Sequence, residues 1–257
     1  MVNSSPTTGP SWIKRFHPAP EAATRLVCFP YAGGSAGYYH GMSAKVSPTV
    51  ELLAVQYPGR QDRYAEKPVD DIGELADEIT EALLPGALEK PLALFGHSMG
   101  ASVAFEVARR LEHRGVTPSA LFVSARPGPS ANRNETLHLS TDADLEREIR
   151  SLGGTGAEVL NDEEILQMVL PVVRNDYRAA ETYRYVPGPD VTCPVVAFVG
   201  EGDPKATVAE TGVWERHTTG PFDLTVFPGG HFYLNEHQAA VVGALLRQLT
   251  PAGTPRR

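Results

Sequence analysis

Five residues constrain this chain more than any others. GHSMG (Gly96 to Gly100) follows the apolar run PLALF and opens the helical pattern ASVAFEVARRLEHRG. A strand that becomes a helix within so few residues leaves space for only small side chains beside the turn, and Gly96 and Gly100 supply them. A serine at the apex of such a turn stands clear of the sheet, and the amide N–H that follows it faces the same space. The chain must therefore hold a buried strand and a helix that meet at Ser98. The plain alternative is a glycine-rich turn without chemistry.

The rest of the sequence supplies a frame for that junction. LVCFPY (from Leu26), ELLAVQYPG (from Glu51), SALFVSARP, CPVVAFVGEGD and FDLTVFPGGH read as strands. DIGELADEITEALL puts Ile72, Leu75, Ile79 and Leu83 on one helical face, and EHQAAVVGALLRQL reads as a closing helix. Strands that are apolar throughout, alternating with helices, indicate a mostly parallel sheet covered on both faces. The stretch from about His138 to Tyr185 departs from this alternation, because TDADLEREIRSL, DEEILQMVL and PVVRNDYRAAETYRY are all helical. This insertion, at about 138–185, is expected to form a helical lid. Thr141 is expected to cap its first helix, with Asp144 in the capping-box position, and Pro171 to kink or restart the last pair. A chain of 257 residues suits one large α/β domain over 1–257, with its core at about 12–250 and loose ends up to about Ser11 and from about Pro251.

Composition removes several classes of function. The chain has 23 Lys and Arg against 31 Asp and Glu, a net charge of -8, which disfavours general nucleic-acid binding. Cys28 and Cys193 lie in or beside apolar runs with no CxxC pair, so they read as buried reduced thiols rather than a metal or redox site. The polar start, MVNSSPTTGPSW, lacks the apolar core of a signal peptide, and no apolar run approaches the ~20 residues that span a bilayer. The expectation is a soluble, cytoplasmic protein.

A serine hydroxyl needs a base within hydrogen-bond reach. In an elbow of this kind the chain order is serine, acid, histidine, with the base after the last strand. His231 ends VFPGGH there, and Gly229 and Gly230 let the loop bend back. His217, in the hydrophilic WERHTTG, and His237, which opens a helix, are competitors. The acid is expected at the end of the preceding strand, where VVAFVGEGD places Asp203; a bland role for it is a helix cap. Asp190 and Asp223 are rivals but precede or begin strands, and Asp176 falls in the lid. For the oxyanion, the N–H of Met99 is one donor. Ala32, in the loop FPYAGGSAGYY, is the candidate for the other.

Five stretches carry a family likeness: FPYAGGSA at Phe29, QYPGRQDR at Gln56, FGHSMGASVAFEVARRL at Phe95, VGEGDP at Val199 and FPGGHFYL at Phe227. With them the chain resembles, from about Phe29 to about Leu249, the type II or editing thioesterases that accompany modular polyketide and nonribosomal peptide synthases. YPGR followed by Arg63 is more particular to the editing type, and Tyr31 stands where a histidine is common. The resemblance implies an α/β-hydrolase fold, a Ser98–His231–Asp203 triad, and Ala32 and Met99 as oxyanion donors. It implies hydrolysis of aberrant or short acyl groups from the phosphopantetheine thiol of an acyl or peptidyl carrier protein, through an acyl-enzyme, with no cofactor and no metal. A monomer is expected. A thiolate whose conjugate acid has a pKa of ~8.5 leaves readily, so the base serves chiefly to activate Ser98 and then water. Arg60, Arg63, Arg126 and Arg133 are candidates for docking an acidic carrier, although Arg60 and Arg63 are equally placed to hold their own loop together. A small-molecule carboxylesterase, an acyl transferase or cyclising thioesterase, and a non-catalytic scaffold are the rival readings.

Overall fold

The six apolar runs become the strands of one sheet, and a seventh strand joins its edge. The computed structural model describes residues 12–87, 89–131, 133–154 and 162–250. The expected loose ends lie outside these residues. The strands are β1 (Ile13–Lys14), β2 (Arg25–Phe29), β3 (Glu51–Val55), β4 (Leu92–His97), β5 (Ala120–Ser124), β6 (Val195–Gly200) and β7 (Phe222–Phe227). Their order across the sheet is β1-β3-β2-β4-β5-β6-β7. All neighbours are parallel except β1, which runs antiparallel to β3. The helices are α1 (His40–Val46), α2 (Ile72–Ala87), α3 (Met99–His113), α4 (Asp142–Leu152), α5 (Glu163–Thr182), α6 (Val208–Gly212), α7 (Tyr233–Glu236) and α8 (Gln238–Leu249).

The alternation of side chains along the strands builds two cores, one on each face. In β4, Leu92 and Leu94 pack with Ile72, Leu75 and Ile79 of α2 and with α3. Ala93 and Phe95 point the other way, toward Met42 of α1 and Val241 and Leu245 of α8. β5 and β6 divide in the same way, which is the period of two that a sheet covered on both faces requires. Sequence reading did not find β1 or α1. Two residues carry no periodicity, and β1 exists because Ile13 and Lys14 pair with Val55 and Ala54.

The insertion is helical. Thr141 Oγ1 accepts the Asp144 N–H at 3.2 Å and so caps α4, while the Asp144 carboxylate accepts the Thr141 hydroxyl at 2.7 Å. Pro171 does not restart the helix as expected: α5 runs through it as one element of 20 residues. Leu170 and Val173, either side of it, are buried together with Leu145 of α4. That packing outweighs the one backbone hydrogen bond that proline removes.

Both cysteines are free and buried. Burial pushes the Cys28 thiol well up, and burial followed by Glu112 pushes Cys193 up to about 12. Only thiolate reacts with a disulfide reagent. Ellman's reagent at neutral pH should therefore detect no thiol in the native protein and two after denaturation in guanidinium. A thiol that reacts at once in the native protein would contradict the burial.

Candidate active site

The turn after β4 is as tight as its sequence requires. Ser98 has φ 54° and ψ -121°, a conformation that costs a side-chain-bearing residue about 1–3 kcal/mol and persists only where its surroundings enforce it. Its N–H donates to Ser124 O of the neighbouring strand at 2.8 Å. A Cβ on Gly96 would stand 2.1 Å from Gly100 O, and one on Gly100 would stand 2.1 Å from Phe29 O. Backbone cannot yield at such distances, so both positions require glycine. Ala125, directly after β5, is also held at positive φ (52°). Of the three non-glycine residues at positive φ among the described residues, these two adjoin the elbow, and the third is Gln61.

Two loops converge on this turn. Asp203 follows β6 and His231 follows β7. The His231 Nδ1 lies 3.0 Å from each Asp203 carboxylate oxygen. The pair is buried, and Asp203 Oδ1 also accepts the Lys205 N–H at 2.8 Å. An ionised carboxylate here favours the tautomer with its hydrogen on Nδ1, which leaves Nε2 able to accept a proton. Ser98 and His231 line the same cavity, about 250 Å³ in volume, together with Met99, Ala32 and Tyr177 of the lid.

The loop after β2 forms a turn in which Gly34 N–H donates to Tyr31 O at 2.8 Å. Gly33 N–H is taken by Asp176 Oδ2 at 2.7 Å. The Ala32 N–H, one residue before Gly33, has no acceptor among the described residues. Met99 is the first residue of α3, so its N–H has no partner within the helix, and the positive end of the helix dipole lies at the same place. Two amides on one cavity wall suit a developing oxyanion.

The rival residues go elsewhere. His217 Nδ1 lies 3.4 Å from Asp190 and its Nε2 lies 2.8 Å from Ser130 Oγ, with the ring edge-on to Tyr185. The rival base and one rival acid therefore satisfy each other. His237 stacks on Phe227, Asp223 is exposed on the edge strand β7, and Asp176 pairs with Arg60. His97 lies within the elbow pentapeptide. It is fully buried, and its Nδ1 meets Ser124 Oγ at 2.9 Å, which in turn meets Tyr233 OH at 2.6 Å. Burial and then the nearby His231 hold its pKa well below the usual histidine range, so it contributes a neutral ring beside the base. Among the described residues no group of three or more His, Cys, Asp or Glu side chains is arranged to hold a metal ion.

The four arginines named as docking candidates all have partners within the fold. Arg60 is buried and forked onto Asp176; Arg63 is forked onto Glu66, donates to Gln56 O and lies over the Trp12 ring. Both hold their loop. Arg126 lines the cavity and donates to Ala180 O at 3.0 Å, with burial lowering its pKa. Arg133 is forked onto Glu210 and donates to Pro204 O. That fork is the first cause pulling Glu210 down to about 2. A depressed carboxylate stabilises the fold above its unfolded pKa of ~4.3 and stops doing so as pH falls through its folded value. The Tm advantage of wild type over Glu210→Gln should therefore be full near pH 6 and vanish between about pH 4 and pH 2. A difference independent of pH would remove the ionic account.

A parallel sheet that carries an elbow serine beneath a helical insertion, with a histidine and an acid delivered by the last two strand ends, is the layout of the α/β-hydrolases. The chain belongs within that class to the thioesterase family, because the profile of the thioesterase domain matches residues 24–249. It is an enzyme that hydrolyses thioesters. A probable cadicidin biosynthesis thioesterase of Streptomyces griseus is 50% identical over 250 residues, covering 97% of this chain and 69% of that protein. Thioesterase PikA5 of Streptomyces venezuelae is 53% identical over 226 residues, covering 88% and 80%. The structure of the type II thioesterase BorB from the borrelidin biosynthetic cluster is similar with a TM-score of 0.88 at 51% identity, covering 95% of this chain and 100% of that one.

Proposed function

We propose that this protein is a type II thioesterase that removes aberrant or short acyl groups from the phosphopantetheine thiol of carrier proteins in a polyketide or nonribosomal peptide synthase. Ser98 Oγ attacks the thioester carbonyl while His231 takes its proton and Asp203 holds the imidazole in place. The oxyanion rests on the Ala32 and Met99 amides. The pantetheine sulfur leaves with the proton from His231, and a water activated by the same imidazole then releases the acid. The protein works as a single domain and a monomer in the cytoplasm. Among the described residues no helix is long and apolar enough to cross a membrane.

One observation carries the assignment to short chains. The cavity holding Ser98 is about 250 Å³, below the ~300–1,000 Å³ of pockets that bury drug-sized ligands. Its far wall is the lid, which thereby shapes the acyl chamber. The test is intact mass spectrometry of carrier proteins loaded with acyl groups of increasing length, with matched free thioesters and oxyesters alongside. Short acyl groups on the carrier should be cleared fastest. Equal rates on oxyesters, with no gain from the carrier, would make the protein a small-molecule esterase.

A further inference from the structure

The loop that carries Ala32 is held from two sides by residues outside the triad. Below it, Gln56 Oε1 accepts the Ala36 N–H at 3.0 Å, and Tyr57 OH donates to Pro30 O at 3.2 Å. Arg60 Nη1 donates to Gly34 O at 3.2 Å. Above it lies α5 of the lid. Asp176 on that helix is 1% exposed and accepts from Arg60 Nη1 at 2.6 Å, Arg60 Nη2 at 2.9 Å and Gly33 N–H at 2.7 Å. One turn earlier, Val173 rests on Gly33: a Cβ there, at φ +79°, would stand 2.7 Å from Val173 Cγ2. The lid helix therefore touches the turn at two points on one face.

A buried ion pair is a poor device for stability, because well-packed apolar residues of the same volume do as well or better. Its geometry here does something that apolar residues cannot. The rigid peptide plane that carries the Ala32 N–H also carries Tyr31 O, which accepts the Gly34 N–H at 2.8 Å, and the next plane carries the Gly33 N–H held by Asp176, so the two bonds together set the φ and ψ of Ala32. We propose that Asp176 and Arg60 are positioning residues for the oxyanion hole: their buried pair ties the lid helix to the Gly33 amide and holds the Ala32 N–H where the acyl oxygen gathers charge. The inference takes Ala32 as a donor from the proposed reaction and adds that a lid helix sets its aim.

The test is the double variant Arg60→Met/Asp176→Leu, which removes both charges and leaves no buried charge unpaired, with Asp176→Asn as a near-isosteric second. Native fold is checked by near-ultraviolet circular dichroism and Tm. Function is read as kcat and KM on a p-nitrophenyl acyl ester, and as the affinity of an alkylboronic acid that forms a tetrahedral adduct on Ser98. The double variant should fold, lose about 10²-fold in kcat, keep KM within about 3-fold, and lose boronate affinity in step with kcat, as expected when an oxyanion donor is misplaced by about an ångström. Asp176→Asn keeps an oxygen for Gly33 N–H and should lose less, in the same pattern. A native double variant with kcat and boronate affinity within about 3-fold of wild type would overturn the proposal, as would a rise in KM alone, which would mean the pair only anchors the lid. Should the double variant be non-native, Asp176→Asn decides by the same two readings. The ester and the boronate report on the oxyanion hole whatever the natural acyl donor is. Failure of the carrier assay would thus strike the substrate assignment and leave this inference standing, and the reverse outcome would do the opposite.

Discussion

Alanine at position 98 is expected to lower hydrolysis of a carrier-bound acyl thioester by about 10⁶-fold, the loss seen when a serine hydrolase is deprived of its nucleophile. The substitution removes one oxygen and little else. Ala125 shows that an alanine is accommodated at positive φ in this same region, so the elbow keeps its shape and Tm should stay within a few degrees. The Ala32 and Met99 amides still face the cavity, and His231 still stands on Asp203. What is lost is the covalent intermediate, and with it any labelling by a fluorophosphonate. Intact mass spectrometry of the carrier over hours, beside wild type over seconds, measures the ratio. If the variant keeps a tenth of wild-type turnover, the hydroxyl at 98 is not the nucleophile.

Asparagine at position 203 is expected to cost about 10⁴-fold in kcat, from an exchange that alters volume hardly at all. The Asp203 carboxylate accepts from His231 Nδ1 through both oxygens at 3.0 Å, and an amide can present at most one oxygen there. Its NH₂ faces the ring instead and favours the tautomer with hydrogen on Nε2, which cannot take the Ser98 proton. The bond from Lys205 N–H survives on the remaining oxygen, so the loop after β6 should hold. Asp190→Asn serves as the control. Asp190 also sits beside a histidine, yet its partners are His217 and Tyr185, and its loss should leave turnover within a few-fold of wild type. Equal losses from the two exchanges would mean that the orienting acid has been misassigned.

Much of this arrangement could be read along the chain. Strand ends, the elbow pentapeptide and the order serine, acid, histidine are local signals, and they led to Ser98, Asp203 and His231. The structure places the last two 3.0 Å apart and the first and last on one cavity. Other features were illegible for definite reasons. β1 is two residues long and α1 seven, too short for a period to register. Pro171 ends a helix only when nothing else holds it, and the burial of Leu170 and Val173 is a tertiary fact. The arginines were ambiguous because a charge near a turn looks the same whether it meets solvent, a partner protein or a buried carboxylate.

Residue order alone determined that a sheet would form, where six of its seven strands would end, and which side chains those ends would carry, because apolar periodicity and turn residues are properties of neighbours in the chain. Tertiary structure decided which charges found one another. Arg60 and Asp176 are 116 residues apart, and His217 lies 27 from Asp190. Nothing in either segment names its partner. Such pairs form only when packing has excluded water and left a carboxylate and a guanidinium, or an imidazole, with no better way to meet their hydrogen-bond needs.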